Sequence, residues 1–351
     1  MKRIPHSRPL LGAEEQKAVR RVLTSGHLAE GKEVKSFERE MARRLKCRHA
    51  AAVGSGTAAL HLALVALGVK PGDRVAMPSY VCTALLHAVD LVGAEPLLVD
   101  IDPTTFNLDP DDLRKRLRSR TKAVIVPHMF GLPARFREIE ACGVPVIEDC
   151  ALALGARYAG KPVGSLGVLS IVSFYATKMI ATGEGGMVLG NRAGFIEEVR
   201  DLRSYDGRGR HRRRFNYKMT ELQAALGRVQ LRKLSHFVAR RRRLASLYAR
   251  TLCDGPWDLP FVDGGHSFYR FVARPRRGTK RLLDELVRRG IEARRPVFRP
   301  LHRYLGLKGF PGAEEAYRRA VSIPLYPALS PSDAERVVQV TRRVGNLLAI
   351  S

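Results

Sequence analysis

A lysine in an otherwise apolar stretch is the first residue whose type and setting could do chemistry. Lys178 ends the segment Ser173–Lys178, and a glycine-rich segment, Thr182–Gly186, follows soon after it. Burial lowers the pKa of a lysine ammonium group, and the neutral amine is then a nucleophile toward carbonyl carbons. Ser173 offers a hydroxyl suited to binding phosphate. Taken alone, such a lysine is more commonly a solvated loop residue.

Two further segments could bind a charged ligand. Gly54–Gly56 reads Gly-Ser-Gly and precedes Thr57, where an apolar run gives way to helix-forming residues. A sharp turn that opens a helix presents unpaired N–H groups and the positive end of the helix dipole, which favour an anion such as phosphate. Asp149 ends another apolar run, and a carboxylate at the carboxyl end of a strand is placed to contact a ligand. Each also has a structural explanation, as a plain turn or a helix N-cap.

Together, the three segments form the set that pyridoxal phosphate needs. A lysine holds the cofactor's aldehyde, an aspartate pairs with its protonated pyridine nitrogen, and a helix N-terminus holds its phosphate. We therefore expect Lys178 and Asp149 to be catalytic and pyridoxal 5'-phosphate to be the cofactor. No group of His, Cys and Asp residues has the spacing of a metal site, so no metal is expected.

Segments that predict strands alternate along the chain with segments that predict helices. Apolar runs that predict strands are Ala50–Gly56, Arg74–Pro78, Pro96–Asp100, Ala123–Pro127, Val144–Asp149, Ser170–Phe174 and Gly186–Gly190. Helix-forming segments lie between them, which is typical of an α/β protein with a mainly parallel central sheet sandwiched by helices. From Thr220 a long helical pattern runs toward Leu252, and a more basic tail follows. We predict a large domain over residues 1–235 and a smaller C-terminal α/β domain over residues 236–351.

A collinear series of motifs runs through essentially the whole chain. It comprises SRPLLGAEEQKAVRRVLTSGHLAEGKEVKSFEREMARRL, SGTAALHLALVALGVKPGDRV, IEDCALALGARYAGKPVGSLG, SFYATKMIATGEGGMV, FNYKMTELQAALGRVQL, RPLH and SIPLYPALS. In these motifs the chain resembles the DegT/DnrJ/StrS family of sugar aminotransferases. The resemblance implies the aspartate aminotransferase fold, which is fold type I of the pyridoxal phosphate-dependent enzymes.

The resemblance also implies a role for particular residues. Lys178 would bind the cofactor covalently and Asp149 would pair with its pyridine nitrogen. Three residues would hold its phosphate, namely Gly56, Thr57 and Ser173. Asn216, in FNYKMTE, is similar to the family asparagine that reaches the phosphate in the neighbouring subunit, so the resemblance implies a homodimer with shared sites. His302, in RPLH, is expected to contact substrate.

Two positions depart from the family pattern. Leu152 stands where the family commonly has His or Gln near the phenolic oxygen of the cofactor, and leucine has no hydrogen-bonding group. Cys82 stands where the family often has an aromatic side chain on the pyridine ring, a contact worth about 1 kcal/mol. Both are expected to border the cofactor. Tyr80 is predicted to compensate for the missing aromatic contact and to lie near the substrate.

The resemblance favours an aminotransferase that converts a keto-sugar, linked to a nucleotide, into an amino-sugar with glutamate as amino donor. A cyclitol or another ketone without a nucleotide is the alternative substrate. The charge points to a different class, since 61 Lys and Arg residues against 34 Asp and Glu give a net charge of +27. A non-catalytic nucleic-acid-binding regulator on the same fold would explain it, but the arginine runs lack interleaved aromatic residues, so no nucleic acid partner is expected.

The cysteines and the apolar segments indicate the compartment. Five cysteines are scattered without CxxC spacing, which favours a reducing compartment. The N-terminus shows no apolar leader. The longest apolar stretch, residues 58–69, is shorter than the roughly 20 residues of a membrane span. We therefore expect a cytoplasmic protein without a membrane segment.

Overall fold

The computed structural model describes the backbone of residues 3–207 and 209–350, and their side chains as far as Leu348. These residues form a seven-stranded sheet, a three-stranded sheet and a two-stranded ribbon. The predicted α/β fold with a mainly parallel central sheet is confirmed.

Strands of the large sheet are buried almost throughout, which explains why the sequence shows apolar runs rather than alternation. They are β1 (His49–Val53), β2 (Arg74–Pro78), β3 (Glu95–Val99), β4 (Thr121–Pro127), β5 (Val146–Asp149), β8 (Leu169–Ser173) and β9 (Gly186–Gly190). The ribbon is β6 (Arg157–Tyr158) and β7 (Lys161–Pro162). The strand order is β1-β9-β8-β5-β4-β2-β3, in which β9 is antiparallel to both neighbours and the other pairs are parallel.

Helices cover both faces of the large sheet. They are α1 (Ala13–Ser25), α2 (Lys32–Leu45), α3 (Gly56–Ala66), α4 (Ala84–Leu91), α5 (Pro110–Arg116), α6 (Phe136–Glu140), α7 (Ala193–Leu202) and α8 (Glu221–Leu252). One core contains the buried side chains of α3 and α4, and another contains those of α2 and the first half of α8. Helix α7, which follows β9 directly, was not predicted from the sequence.

The long helix α8 begins where its sequence supplies a capping box. Thr220 Oγ1 accepts a hydrogen bond from the backbone N–H of Gln223 at 3.3 Å, and Gln223 Oε1 accepts one from the N–H of Thr220 at 2.9 Å. This reciprocal pair satisfies donors that an α-helix otherwise leaves open at its start. The helix therefore starts at Glu221, one residue after the predicted Thr220.

The C-terminal part of the chain builds a small sheet with its own core. Its strands are β10 (Trp257–Asp258), β11 (Phe271–Pro275) and β12 (Val321–Ile323), and its helices are α9 (Thr279–Arg288), α10 (Leu301–Tyr304), α11 (Pro311–Arg319) and α12 (Pro331–Ile350). The second half of α8 packs into this core through Leu244, Tyr248 and Leu252. The predicted boundary at residue 235 thus falls inside a continuous helix, and the division into residues 1–235 and 236–351 stays a prediction.

None of the described helices is both long enough and apolar enough to cross a bilayer.

Candidate active site

The predicted site residues lie at one edge of the large sheet. Gly186, which begins β9, pairs with Val53 at the end of β1 on one side and with Ser173 at the end of β8 on the other. Asp149, at the end of β5, pairs with Ile171 of β8. Because β1, β8 and β5 run in the same direction, their carboxyl ends meet at one edge, where open α/β sheets bind ligands.

Gly56 allows the start of α3 to approach the end of β8. A Cβ atom added to Gly56 would lie 2.8 Å from Ser173 Cβ and 3.0 Å from Ser173 Oγ. Ser55 caps the helix, its hydroxyl accepting from the N–H of Ala58 at 3.1 Å. The N–H groups of Gly56 and Thr57 belong to the first turn, where an α-helix has no acceptor for them. This turn therefore offers free donors beside a serine hydroxyl, which suits an anion.

Asp149 is a buried carboxylate with an incomplete set of protein partners. Its Oδ1 accepts from the N–H of Ala151 at 2.9 Å, whereas Oδ2 accepts no hydrogen bond from the described residues. Burial raises the pKa of Asp149, and the Ala151 N–H and the nearby positive charge of Lys178 offset only part of this shift. A protonated nitrogen that donates a hydrogen bond to Oδ2 would stabilise the carboxylate and so compensate for its removal from water.

Lys178 lies on a loop that extends the β8–β9 pair. Its backbone N–H donates to the carbonyl of Tyr175 at 2.8 Å, and Ala176 N–H donates to the carbonyl of Gly183 at 2.9 Å. The ammonium nitrogen lies 5.6 Å from the centre of the Tyr269 ring. The loop is thus held by backbone hydrogen bonds, and its lysine reaches the same cavity as Asp149.

A cavity of about 830 Å³ brings the two predicted catalytic residues together. Pockets that enclose a small ligand measure about 300–1,000 Å³. Cys82 and Leu152, where the sequence departs from the family pattern, also line the cavity. Cys82 is an exposed residue, but desolvation of the thiolate raises the pKa of its thiol by more than the positive charge of Lys178 lowers it. Leu152 offers only an apolar side chain.

Tyr80 and His302 do not contact the cavity, and the structure corrects both predictions. Tyr80 is fully buried, and its hydroxyl donates to the carbonyl of Ala316 at 3.4 Å. His302 is buried with both ring nitrogens used: Nδ1 accepts from Ser79 Oγ at 2.6 Å, and Nε2 donates to Glu314 Oε1 at 2.7 Å. Neither side chain has a polar atom left for substrate, because each one joins elements of the core.

Asn216 is exposed beside the turn that follows β1. The carbonyl of the next residue, Tyr217, accepts from the N–H of Gly54 at 2.8 Å. Thr220 is the N-cap of α8, so Asn216 does not cap that helix. Its predicted contact with the cofactor of a neighbouring subunit stays a prediction.

Three further residues, which were not predicted from the sequence, line the cavity: Tyr269, Arg270 and His6. Arg270 donates from Nη2 to Tyr269 Oη at 3.2 Å and from Nη1 to His6 Nδ1 at 3.0 Å. Burial raises the pKa of Tyr269, but Arg270 and Lys178 more than offset it and lower the pKa to about 8. Burial and the charge of Arg270 lower the pKa of His6 to about 2, so His6 is neutral. The available signal was an arginine inside the apolar run Phe268–Ala273, the same kind of signal that singled out Lys178.

A buried group next to Asp149 has the residue types of a metal site. His128, Glu148 and Cys150 place ligand atoms within 4.8 Å of one another. However, Glu148 already accepts from His128 Nε2 at 3.0 Å and from three backbone N–H groups of residues 164–167 at 2.6–2.8 Å. Because His128 Nδ1 accepts from the N–H of Ala134, Nε2 carries the proton. The group is a hydrogen-bonded support for the 164–167 loop.

The chain matches a known protein family and is similar to a curated relative and to solved structures. Residues 9–342 match the DegT/DnrJ/EryC1/StrS aminotransferase family. The chain is 36% identical over 337 residues to GDP-perosamine synthase from Caulobacter vibrioides, covering 90% of each chain. The aminotransferase TlmJ from Streptoalloteichus hindustanus superposes with a TM-score of 0.94 at 32% identity, covering 99% of this chain and 100% of that one. A DegT DnrJ EryC1 StrS aminotransferase from Brucella abortus gives a TM-score of 0.88 at 28% identity, covering 95% of both chains.

Proposed function

Because the chain belongs to the DegT/DnrJ/EryC1/StrS aminotransferase family and is an aminotransferase, we propose that it uses pyridoxal phosphate to convert a nucleotide-linked keto-sugar into an amino-sugar. Glutamate is the proposed amino donor. The observation that carries the proposal is that Lys178 and Asp149 line the same cavity. The Caulobacter vibrioides relative is named for a GDP-linked product, which supports a nucleotide-linked substrate.

The residues at the sheet edge fit pyridoxal phosphate. Oδ2 of Asp149 accepts no hydrogen bond from the described residues and burial raises the pKa of this carboxyl group, so a protonated pyridine nitrogen would stabilise its charged form. The free N–H groups at the start of α3 and the Ser173 hydroxyl suit the phosphate, and a Cβ atom at position 56 would fill the space between them. Lys178 supplies the amine for the aldehyde. Cys82 and Leu152 would border the ring as compact side chains.

When bound, pyridoxal phosphate supplies an electron sink for the charge left when a C–H bond next to nitrogen breaks. Lys178 Nζ lines the same cavity and would be the group that accepts the proton of that C–H bond and gives it back. Asp149 would favour the protonated form of the pyridine nitrogen, since that positive charge would stabilise its carboxylate. Tyr269 lies beside Lys178 and holds Arg270 at the cavity wall.

A second subunit completes the proposed enzyme. Asn216 is exposed, and the backbone next to it is bonded to the Gly54 turn. The side chain of Asn216 is therefore at the surface, where a second subunit can contact it. We infer that it reaches the phosphate held by a neighbouring subunit, so that the unit is a homodimer.

A ketone without a nucleotide, such as a cyclitol, is the alternative substrate. The two substrates differ in the nucleoside diphosphate, which only the first one carries and which stays attached to the sugar during amino transfer. A nucleotide-linked substrate predicts competitive inhibition by the free nucleoside diphosphate, and a cyclitol predicts none.

Two measurements test the proposal. The protein is incubated with pyridoxal phosphate, reduced with borohydride and mapped by peptide mass, and the label is expected on Lys178. Keto-sugar nucleotides are then screened with glutamate, and mass spectrometry reads the replacement of the keto oxygen by an amine. A label on another lysine, or no label, contradicts the assignment of Lys178.

A further inference from the structure

The cavity has a strongly basic part that the amino-group chemistry does not use. The six consecutive residues 294–299 all line it, and three of them are arginines. They follow the bridge between Arg294 and Ser322 and precede α10. We call Arg294, Arg295 and Arg299 the outer arginine group.

Two members of the outer arginine group have no carboxylate partner among the described residues. Arg295 donates to the carbonyls of Tyr317 and Arg318, and Arg299 donates to the carbonyl of Arg303 at 2.8 Å. Arg294 contacts one carboxylate, Glu292 Oε2, at 3.2 Å. Backbone carbonyls orient a guanidinium without neutralising it. The outer arginine group therefore carries uncompensated positive charge at the cavity wall.

The group stands on a supported segment. Tyr317 contacts two guanidiniums, with Arg295 Cζ at 5.0 Å and Arg303 Cζ at 4.3 Å from its ring centre. After the segment, the N–H of Leu301 donates to the carbonyl of Ser79 at 2.7 Å, just beyond β2. Side chains held this way lose less entropy when they bind a ligand, which favours affinity.

An exposed aromatic ring stands within the same segment. Phe298 is 85% exposed, although it lines the cavity, and it directly precedes Arg299. Arg299 Cζ lies 5.0 Å from the centre of the Tyr304 ring. An exposed aromatic ring next to guanidiniums that have no carboxylate partner among the described residues matches two parts of a nucleotide, a base that stacks and phosphates that accept hydrogen bonds.

We propose that Arg295 and Arg299 bind the diphosphate of a nucleotide-linked substrate and that Phe298 stacks on its base. The inference rests on the proposed function and specifies which end of the cavity takes the nucleotide. The keto-sugar would then lie between this end and Lys178. A carboxylate of the amino donor is also an anion, but it brings no ring for Phe298, so the diphosphate explains more of the segment.

Binding to the cofactor-loaded protein tests the proposal. Calorimetry at one fixed salt concentration compares GDP, UDP, dTDP, inorganic diphosphate and glutarate as probes. Arg299→Gln should weaken binding of the preferred nucleoside diphosphate about tenfold or more, the loss expected for a charge-assisted hydrogen bond. Phe298→Ala should weaken the nucleoside diphosphate and spare inorganic diphosphate. Arg318→Gln, an exposed change of equal charge off the cavity, is the control and should bind as the parent does.

Three results would overturn the proposal. The first is that nucleoside diphosphates bind the Arg299→Gln and Phe298→Ala variants as tightly as they bind the parent, which would place the nucleotide site away from these residues. Arg299→Gln could weaken glutarate as much as the nucleotide, which would assign the arginines to the amino donor. The third is that no nucleoside diphosphate binds, although glutamate still transfers its amine to the cofactor. That last result would leave the aminotransferase intact and favour a ketone without a nucleotide, whereas failure of the glutamate step would contradict the proposed function itself.

Discussion

The ammonium nitrogen of Lys178 lies 5.6 Å from the centre of the Tyr269 ring, and on the same phenol the hydroxyl accepts from Arg270 at 3.2 Å. One tyrosine is therefore held between two cations. Burial alone would raise its pKa, but the two positive charges reverse the shift and lower the pKa to about 8. The consequence is a phenol that titrates near neutrality beside the proposed catalytic amine.

Tyr269 should ionise about two pH units below an ordinary tyrosine, whose pKa is near 10. A pH titration of tyrosinate absorbance on the cofactor-free protein should show one group near pH 8 that is missing in Tyr269→Phe. Tyr175→Phe removes an exposed tyrosine and should leave this step in place. Arg270→Gln should move the step to higher pH, because it removes one of the stabilising charges.

The same shift has a consequence for stability. Because the folded-state pKa is lower than the unfolded one, ionised Tyr269 stabilises the fold. This contribution is complete above about pH 10 and is lost as the pH falls through about 8. Denaturant unfolding of the parent and of Tyr269→Phe should therefore diverge between pH 8 and pH 10, with the parent gaining. Parallel curves over that range would mean that the phenol does not ionise.

Asp149 and Glu148 are adjacent carboxylates with different predicted roles. We expect Asp149 to affect cofactor binding and Glu148 to affect the free energy of unfolding. Asp149→Asn should weaken cofactor binding by about 1.5–3 kcal/mol, the loss of a charge-assisted contact, and should leave unfolding nearly unchanged because Asp149 has few protein partners. Equilibrium dialysis and denaturant unfolding measure the two effects. Turnover at the parent's rate in Asp149→Asn would rule out its pairing with the pyridine nitrogen.

Glu148→Gln is the matched comparison. The Glu148 carboxylate accepts hydrogen bonds from His128 and from three backbone N–H groups. The NH2 group of a glutamine would face some of these N–H donors and could not accept from them. We expect a loss of about 1–3 kcal/mol or more in unfolding free energy. Cofactor affinity per folded molecule should change less than in Asp149→Asn.

Gly56→Ala should impair the phosphate site. The new Cβ atom would lie 2.8 Å from Ser173 Cβ, so either α3 or the end of β8 must shift. We expect cofactor affinity to fall about tenfold, the equivalent of about 1.4 kcal/mol. The control is Gly194→Ala in α7, where an added Cβ meets nothing within 4 Å and helix propensity should improve. Equal cofactor affinity in the two variants would place the phosphate away from Gly56.

Asn216 should act across the subunit interface. If sites are shared, a hybrid of Lys178→Ala and Asn216→Ala subunits has one site with both lesions and one site with none. Mixing the two weak parents should therefore recover activity once subunits exchange. Activity that never exceeds the average of the parents, although exchange is shown, would place Asn216 in its own subunit's site or in no site.

Much of the fold could be predicted because the strands of a sheet covered on both faces are nearly continuous apolar runs. Arg74–Pro78 and Gly186–Gly190 were predicted with their observed bounds. The helices α7 and α12 were missed. The first of these has a mixed composition, with charged residues between its buried Ile196, Val199 and Leu202, so it gives a weaker pattern than an apolar run.

Tyr80 and His302 show where a motif misleads. Both belong to segments next to the cavity, since Val81 and Cys82 line it and α10 follows the outer arginine group. Their side chains nevertheless point into the core. A motif locates a segment, but which way each side chain turns depends on partners such as Ser79, Glu314 and Ala316, which no local pattern reveals.

The family, the α/β fold and the candidate pair of Lys178 and Asp149 could be identified from the sequence, because motifs and the apolar runs of a covered sheet are local patterns along the chain. Only the tertiary structure showed that Lys178, Tyr269 and Arg270 meet. Lys178 comes from the large sheet, whereas the other two directly precede β11 of the small one. A pKa depends on charges within a few ångströms, whatever their separation along the chain, so the lowered pKa of Tyr269 could arise only when folding brought the two parts together.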